Sequence, residues 1–216
     1  MRMRNLCNKH YEETAWIFGT GASLDAADFA EVEGVRICLN RAIGAVPHVD
    51  GQTYWLVADD AWGKEVPGPW DKWFHDLVFG NGVIGVFQDP LLGPKRTQTP
   101  VPDAENIVKY KIQWSGNPDP ILDMDREIIA LNETLYSFSG TAPTAAHLAW
   151  FMGCDRVVIV GCDGDGTIAN RVRQWYDDGP IKANHKMSRD YLQHVIDTLD
   201  LEYENRSKRR KTDGEV

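Results

Sequence analysis

The sequence has little that would tie it to a membrane, a metal or an oxidising compartment. No apolar run in its 216 residues approaches the roughly 18 that a membrane-spanning helix needs. Met1 to His10 is polar and basic with no apolar segment behind it, so no signal peptide is expected and the chain reads as cytoplasmic. The four cysteines, Cys7, Cys38, Cys154 and Cys162, form no CxxC pair and no Cys/His cluster. Metal-site spacing is therefore absent, and buried thiols are expected rather than bridges. Positive charge is also short: Lys plus Arg is 23 against 32 Asp plus Glu, a formal net charge of −9. That balance argues against attachment to nucleic acid or anionic lipid by bulk charge, although it leaves room for a local basic groove. No internal repeat is present.

What is there is an ordinary globular composition, 43% AVILMFWYC and 25% charged, with 19 Gly and 11 Pro. A chain of this length and composition makes one domain with a sizeable core, assigned here to residues 1–204. Short, continuous apolar runs end repeatedly in Gly, Asn or Asp. Ala15–Phe18 meets Gly19, Val35–Leu39 meets Asn40, and Tyr54–Val57 meets Ala58 and Asp59. Val83–Phe87 leads into a proline-rich excursion over 88–106, and Arg156–Val160 meets Gly161 and Asp163. Continuous rather than alternating runs suit strands buried on both faces of a parallel sheet.

Helical signals fall between them: Asp25–Val32, Asp71–Val78, Thr141–Met152 with Thr141 as N-cap, and the amphipathic Ser188–Leu199. The alternation predicts an α/β, Rossmann-like, doubly wound and mainly parallel sheet with helices on both faces. Residues 164–184 hold few apolar side chains and are a candidate lid. The tail, 205–216, carries Lys208 to Lys211 and reads as a solvated end.

The candidate site residues lie just past the strand ends, on the edge where open α/β sheets bind ligands. Gly19, Thr20, Gly21 and Ser23 form a turn in which backbone can approach a ligand closely, or can simply turn tightly from strand to helix. Ser139, Gly140 and Thr141 precede an Ala-rich helix whose first amides and two hydroxyls suit an anion, and suit plain helix capping as well. Asn40 and Asp59 could meet a base or sugar hydroxyls, or make turns. Asp163 and Asp165 form a DxD that carboxylate chemistry would match to Mg or Mn, although two Asp also arise easily in a glycine-rich turn. Of the six histidines, His147 reads as packed and His194 as lying on a polar helix face. His185 precedes the last helix in a polar stretch, where Lys182 and Lys186 would keep it neutral, as a general base requires, or where it is simply an exposed loop histidine.

In order along the chain, Trp16–Leu24 (WIFGTGASL), Cys38–Arg41 (CLNR), the block Ser139–Asp163 and His185 before a final helix and a short strand at Leu201–Tyr203 resemble the bacterial sialyltransferases of glycosyltransferase family 42. They also resemble that family's wider relatives, which include the MptE-like 6-hydroxymethylpterin diphosphokinases. The similarity covers about residues 15–60 and 134–204, and its specific part is the block 139–163. It implies an inverting, metal-independent transfer from a CMP-sugar-like donor, with no cofactor required. Gly19, Thr20, Gly21 and Ser23 would line nucleotide phosphate and ribose. Asn40 would meet the nucleotide or donor sugar, and Ser139, Gly140 and Thr141 would face the donor. Asp163 would anchor the base or ribose end, and His185 would deprotonate the acceptor hydroxyl.

The chain departs from the family pattern at Thr20, commonly Asn there, and at Ala22, commonly Pro. It also carries Gly164-Asp165-Gly166, with Trp175 and Tyr176 beyond, where the family places a tyrosine pair that assists phosphate departure. The acceptor expected is a glycan or, given Arg171, Arg173, Lys182, Lys186 and Arg189, a modified base in DNA. Two other readings stand beside this one: an ATP- and magnesium-dependent diphosphokinase using Asp163 and Asp165, and a non-catalytic nucleotide-binding module. No membrane partner is expected, and oligomeric state is not specified by the sequence.

Overall fold

The structure, a computed structural model, describes residues 1–57, 80, 82–88, 103–112, 118–138, 140–174 and 185–207, without the side chains of 112 and 185–187. Eight strands form one sheet: β1 (Thr14–Phe18), β2 (Val35–Leu39), β3 (Thr53–Val57), β4 (Ile84–Gln88), β5 (Ile107–Ile112), β6 (Thr134–Leu135), β7 (Arg156–Val160) and β8 (Glu202–Asn205). Their order is β6-β5-β4-β3-β2-β1-β7-β8, and every pairing is parallel. The chain steps outward from β1 to β6, then returns to lay β7 and β8 on the other side of β1. The fold is thus α/β and Rossmann-like, and its strand order reverses between β1 and β7.

Burial explains why the strands read as continuous apolar runs. All five residues of β2, of β3 and of β4 are buried, because alternate side chains enter two separate cores. Ala15, Ile17, Ile37, Tyr54, Leu56 and Val86 face one core. Trp16, Phe18, Cys38, Trp55, Val57 and Phe87 face the other.

The first core is closed by α1 (Arg126–Asn132), α2 (Thr141–Phe151) and α4 (His185–Thr198). Ten of the eleven residues of α2 are buried, so it is a central helix with no polar face. Ala142, Ala145, Ala146 and Ala149 let it lie close to the sheet and to α4. The amphipathic α4 sends Leu192, Val195 and Ile196 inward and leaves His194 and Asp197 exposed. The second core is covered more thinly among the described residues. Its cover is the four-residue α3 (Asn170–Arg173) and 3₁₀ turns at Ala22–Ala26, Phe29–Glu31 and Asn40–Gly44. Among the described residues no helix is long and apolar enough to cross a membrane.

Several elements differ from the sequence reading. Asp25–Val32 is not one helix but parts of two 3₁₀ turns, separated where Ala27 and Asp28 are extended and the Asp28 carboxylate accepts the Ala30 amide at 3.0 Å. Gly140, not Thr141, is the N-cap of α2; its φ of +133° favours glycine, and Thr141 is the first helical residue. Of the candidate lid segment 164–184, the structure describes 164–174, in which Ala169 and Val172 are buried and Asp25 accepts the amides of Asn170 and Arg171 at 2.7 and 3.0 Å. Folded structure also runs past residue 204, since Arg206 N donates to Ile159 O at 2.9 Å and Ser207 is buried. Asp71–Val78, most of the proline-rich excursion, residues 175–184 and the basic run 208–211 lie outside the described residues.

One buried histidine holds the approach to α2. The His147 ring is fully buried and stacks on Trp150, and its Nδ1 accepts the Tyr136 amide at 2.8 Å. Burial pushes its pKa down to about 3, so the folded protein keeps the ring neutral. The unfolded chain takes up a proton near pH 6.5 while the folded chain does not, so stability falls as pH drops from about 6.5 toward 3. We expect thermal unfolding followed from pH 7 to pH 5 to show a steeper loss of Tm in the wild type than in His147→Gln, which keeps an acceptor for Tyr136. Equal slopes would show that His147 is not the group responsible.

Candidate functional site

The carboxyl ends of β1 and β7 meet through two glycine turns pressed against each other. Gly19 N donates to Val160 O at 2.8 Å and Gly21 N to Gly161 O at 2.7 Å. In return Gly161 N donates to Ser23 Oγ at 2.9 Å, and Ser23 N donates to Asp163 Oδ2 at 2.9 Å. A Cβ on Gly19 would fall on the Gly161 carbonyl, and one on Gly21 would fall on the Asp163 carboxylate. Gly161, at φ +73°, is held as tightly against the Gly19 carbonyl. The same junction gathers two more segments: Ala169 N donates to Thr20 O at 2.9 Å, and Cys162 N to Ser207 Oγ at 3.0 Å.

This geometry shows what the first glycine turn packs against. The sequence identifies a place where backbone must be approached closely, and the structure supplies the approaching group: the turn after β7. The amides of Gly19, Gly21 and Ser23 are donated within the chain, and Asp163 accepts one of them. Asp165 accepts from the Thr167 amide at 2.9 Å and from the Thr167 hydroxyl at 2.5 Å, which shapes its own turn. Among the described residues no group of three or more His, Cys, Asp or Glu is arranged to hold a metal ion. Burial pushes the pKa of the Cys162 thiol up to about 12, which favours the protonated thiol at neutral pH.

A second constellation forms one strand over, on the same edge. Asn40 ends β2 in the left-handed region, at φ +49°, with its carbonyl accepting Trp55 Nε1 at 2.9 Å. That conformation turns its side chain to α2, where Nδ2 donates to Thr141 Oγ1 at 3.3 Å. A Cβ on Gly140 would meet Ser188 Oγ at 2.6 Å, so the first turn of α4 lies against the start of α2. His185 is the first residue of α4, one turn before Ser188. The N-terminal ends of two helices, 11 and 14 residues long, therefore meet beside Asn40.

The structure thus brings Asn40, Gly140, Thr141 and the start of α4 together. It brings Gly19, Thr20, Gly21, Ser23 and Asp163 together as a separate junction at the neighbouring strand. Asp59, Ser139 and the side chain of His185 lie outside the described residues. His194, assigned only a polar face by sequence, is paired: Nε2 meets Asp119 Oδ1 at 3.1 Å. Asp25, read from sequence only as the start of a helix, anchors α3 through two amides. No motif gives either pairing away, because the partners are 75 and about 145 residues distant.

With this geometry in hand, comparison with known proteins adds nothing further: no family model, no curated protein and no solved structure matches the chain.

The junction makes a direct prediction. Gly21→Val must push the Asp163 carboxylate off the Ser23 amide, and Asp163→Ala leaves that amide without its acceptor. We expect chemical denaturation to show losses of at least about 2 kcal/mol for Gly21→Val and about 1–3 kcal/mol for Asp163→Ala. Wild-type stability in both would mean that the two turns are not locked together.

Proposed function

We propose that the chain is a nucleotide-sugar-dependent glycosyltransferase whose donor nucleotide lies on the carboxyl edge of the sheet, against Asn40, Gly140 and Thr141. The observation that carries this reading is the meeting of the α2 and α4 N-termini beside Asn40. Helix N-termini present unpaired amides and positive dipole ends, which suit a phosphate. Reversal of strand order between β1 and β7 supports the same edge, since open α/β sheets bind ligands there. The amides of Gly19, Gly21 and Ser23, being spent on the β7 turn, support a framework role for that turn and move phosphate contact toward α2.

In this reading the acceptor hydroxyl attacks the donor's anomeric carbon as the bond from that carbon to the phosphate oxygen breaks. His185 takes the hydroxyl proton, and the nucleotide leaves with the bonding electron pair. The base belongs at the head of α4 because that helix start lies against the head of α2. The donor is a CMP-sugar by resemblance, and the acceptor is a glycan or a modified nucleobase.

Thermal-shift measurements with CMP, UDP, GDP and ATP, each with and without EDTA, test the donor. A CMP or UDP response indifferent to EDTA is expected, whereas ATP stabilisation that requires magnesium would favour the diphosphokinase. His185→Ala should lower turnover about 100- to 10,000-fold, the usual range for positioned proton transfer, with donor affinity nearly unchanged. Retained turnover in that variant would overturn the assigned base. Asn40→Ala should weaken nucleotide binding about tenfold by removing a polar contact beside the phosphate. Unaltered affinity would move the donor site elsewhere.

A further inference from the structure

The segment ahead of β1 is fastened to the rest of the chain at several points. Met3 and Leu6 are fully buried in the first core, and Arg126 Nη1 on α1 donates to Asn8 Oδ1 at 2.9 Å. The amides of Asn8, His10 and Glu12 donate to the carbonyls of Phe151, Met152 and Gly153 at 3.1, 2.7 and 3.0 Å, which ties the segment to the end of α2. Between these bonds the His10 side chain turns inward, 5% exposed, onto the Tyr54 hydroxyl of β3.

The direction of each hydrogen bond around His10 is set by the groups themselves. An ionised Glu13 carboxylate can only accept, so His10 Nδ1, 3.1 Å from it, carries a proton. In the neutral ring Nε2 is then the acceptor, and the Tyr54 hydroxyl donates to it at 2.7 Å. Burial raises the Tyr54 pKa, so that hydroxyl holds its proton at neutral pH. Its oxygen is left to accept from Lys9 Nζ at 3.1 Å. The bonds therefore run one way, from Lys9 through Tyr54 and His10 to Glu13, and only a neutral His10 permits that. A proton added at Nε2 reverses the bond to Tyr54. Two cationic donors, His10 and Lys9, then converge on one oxygen, and the proton of the fully buried tyrosine loses its acceptor.

The titratable and charged groups about this network come from each element packed on it. They are Lys9 and Glu13 on the same segment, Tyr54 on β3, Asp50 before β3, Cys154 and Asp155 between α2 and β7, and Arg126 on α1. Burial lowers the His10 pKa most, Glu13 opposes that shift and Lys9 adds to it. The Cys154 thiol, its pKa pushed up to about 12 by burial, stays uncharged.

From this one-way network we propose that His10 is a pH-sensitive latch, whose protonation unfastens residues 1–12 from the end of α2 while the sheet stays folded. The latch is independent of the glycosyltransferase reading. In the released segment the histidine takes up a proton near pH 6.5, whereas the fastened ring resists it. Fastening is therefore at full strength above about pH 6.5 and is lost progressively as pH falls from there toward the lower pKa of the fastened ring.

Backbone hydrogen exchange of the full chain, followed by mass spectrometry from about pH 7 to pH 5 and corrected for the intrinsic pH dependence of exchange, tests this. Peptides covering residues 1–12 should lose protection by up to about tenfold per pH unit below about pH 6.5, because one proton is taken up on opening. Peptides from β1 to β3 should keep theirs. His10→Gln, whose amide can serve both Tyr54 and Glu13 without titrating, should abolish the acid response of the segment, whereas His147→Gln should leave it in place. In the wild type the His10 ring resonances should titrate below pH 6.5, and that titration decides the matter even if His10→Gln fails to hold the segment. Titration at or above pH 6.5 would mean that the proton fastens the segment, and would overturn the proposal. So would protection of residues 1–12 that does not change with pH, an acid response that survives in His10→Gln, or an equal loss in the peptides from β1 to β3.

Discussion

The contact on which the described structure turns is the mutual lock of the β1 and β7 glycine turns. Four hydrogen bonds cross it, from Gly19, Gly21, Ser23 and Gly161, and no Cβ could be added at Gly19 or Gly21 without striking its partner. These are the two strands between which the order of the sheet reverses, so the lock holds the two halves of the sheet in register at their carboxyl ends. It also fixes α3 through Thr20 and the end of β8 through Cys162. The amides of Gly19, Gly21 and Ser23 are thereby engaged within the chain.

Among the described residues the two faces of the sheet are unequally covered. On the first, α2 has no polar side and must be enclosed, which α1, α4 and the N-terminal segment accomplish. That enclosure accounts for the neutral, fully buried His147 and for the chain of bonds from Lys9 Nζ to the Tyr54 hydroxyl (3.1 Å), from that hydroxyl to His10 Nε2 (2.7 Å) and from His10 Nδ1 to Glu13 Oε1 (3.1 Å). Burial lowers the His10 pKa, and its hydrogen bond to Glu13 works against that shift. On the second face, short 3₁₀ turns replace a crossover helix near β1, and the space they leave is partly filled by Arg206 over Trp16.

Much of this architecture is legible in the sequence because burial on both faces produces a distinctive pattern. The runs at Ala15–Phe18, Val35–Leu39, Tyr54–Val57, Val83–Phe87 and Arg156–Val160 each lie within one residue of a strand end. Strand β5 is less visible because Lys109 and Lys111 interrupt its apolar residues just after a proline-rich stretch. The two residues of β6 carry no periodic signal, and the Glu-rich edge strand β8 is held by pairing with β7 rather than by an apolar run. At the site, glycine at 19 and 21 announces a close approach, but the approaching group lies some 140 residues away and leaves no local mark. The Asn40–Thr141 contact is hidden in the same way: each residue is a plausible turn or cap, and only the fold makes them neighbours.

The central functional claim is that the nucleotide is held at the head of α2 beside Asn40, while the glycine turn of β1 serves as framework. Backbone amide shifts recorded while CMP is titrated into isotopically labelled protein address it residue by residue. The account predicts saturable, mutually consistent shifts at Asn40, Gly140, Thr141 and Ser188, with Gly19, Gly21 and Ser23 moving little because their protons are already committed to the β7 turn and Asp163. Shifts centred on Gly19, Gly21 and Ser23, with Asn40, Gly140 and Thr141 still, would contradict it.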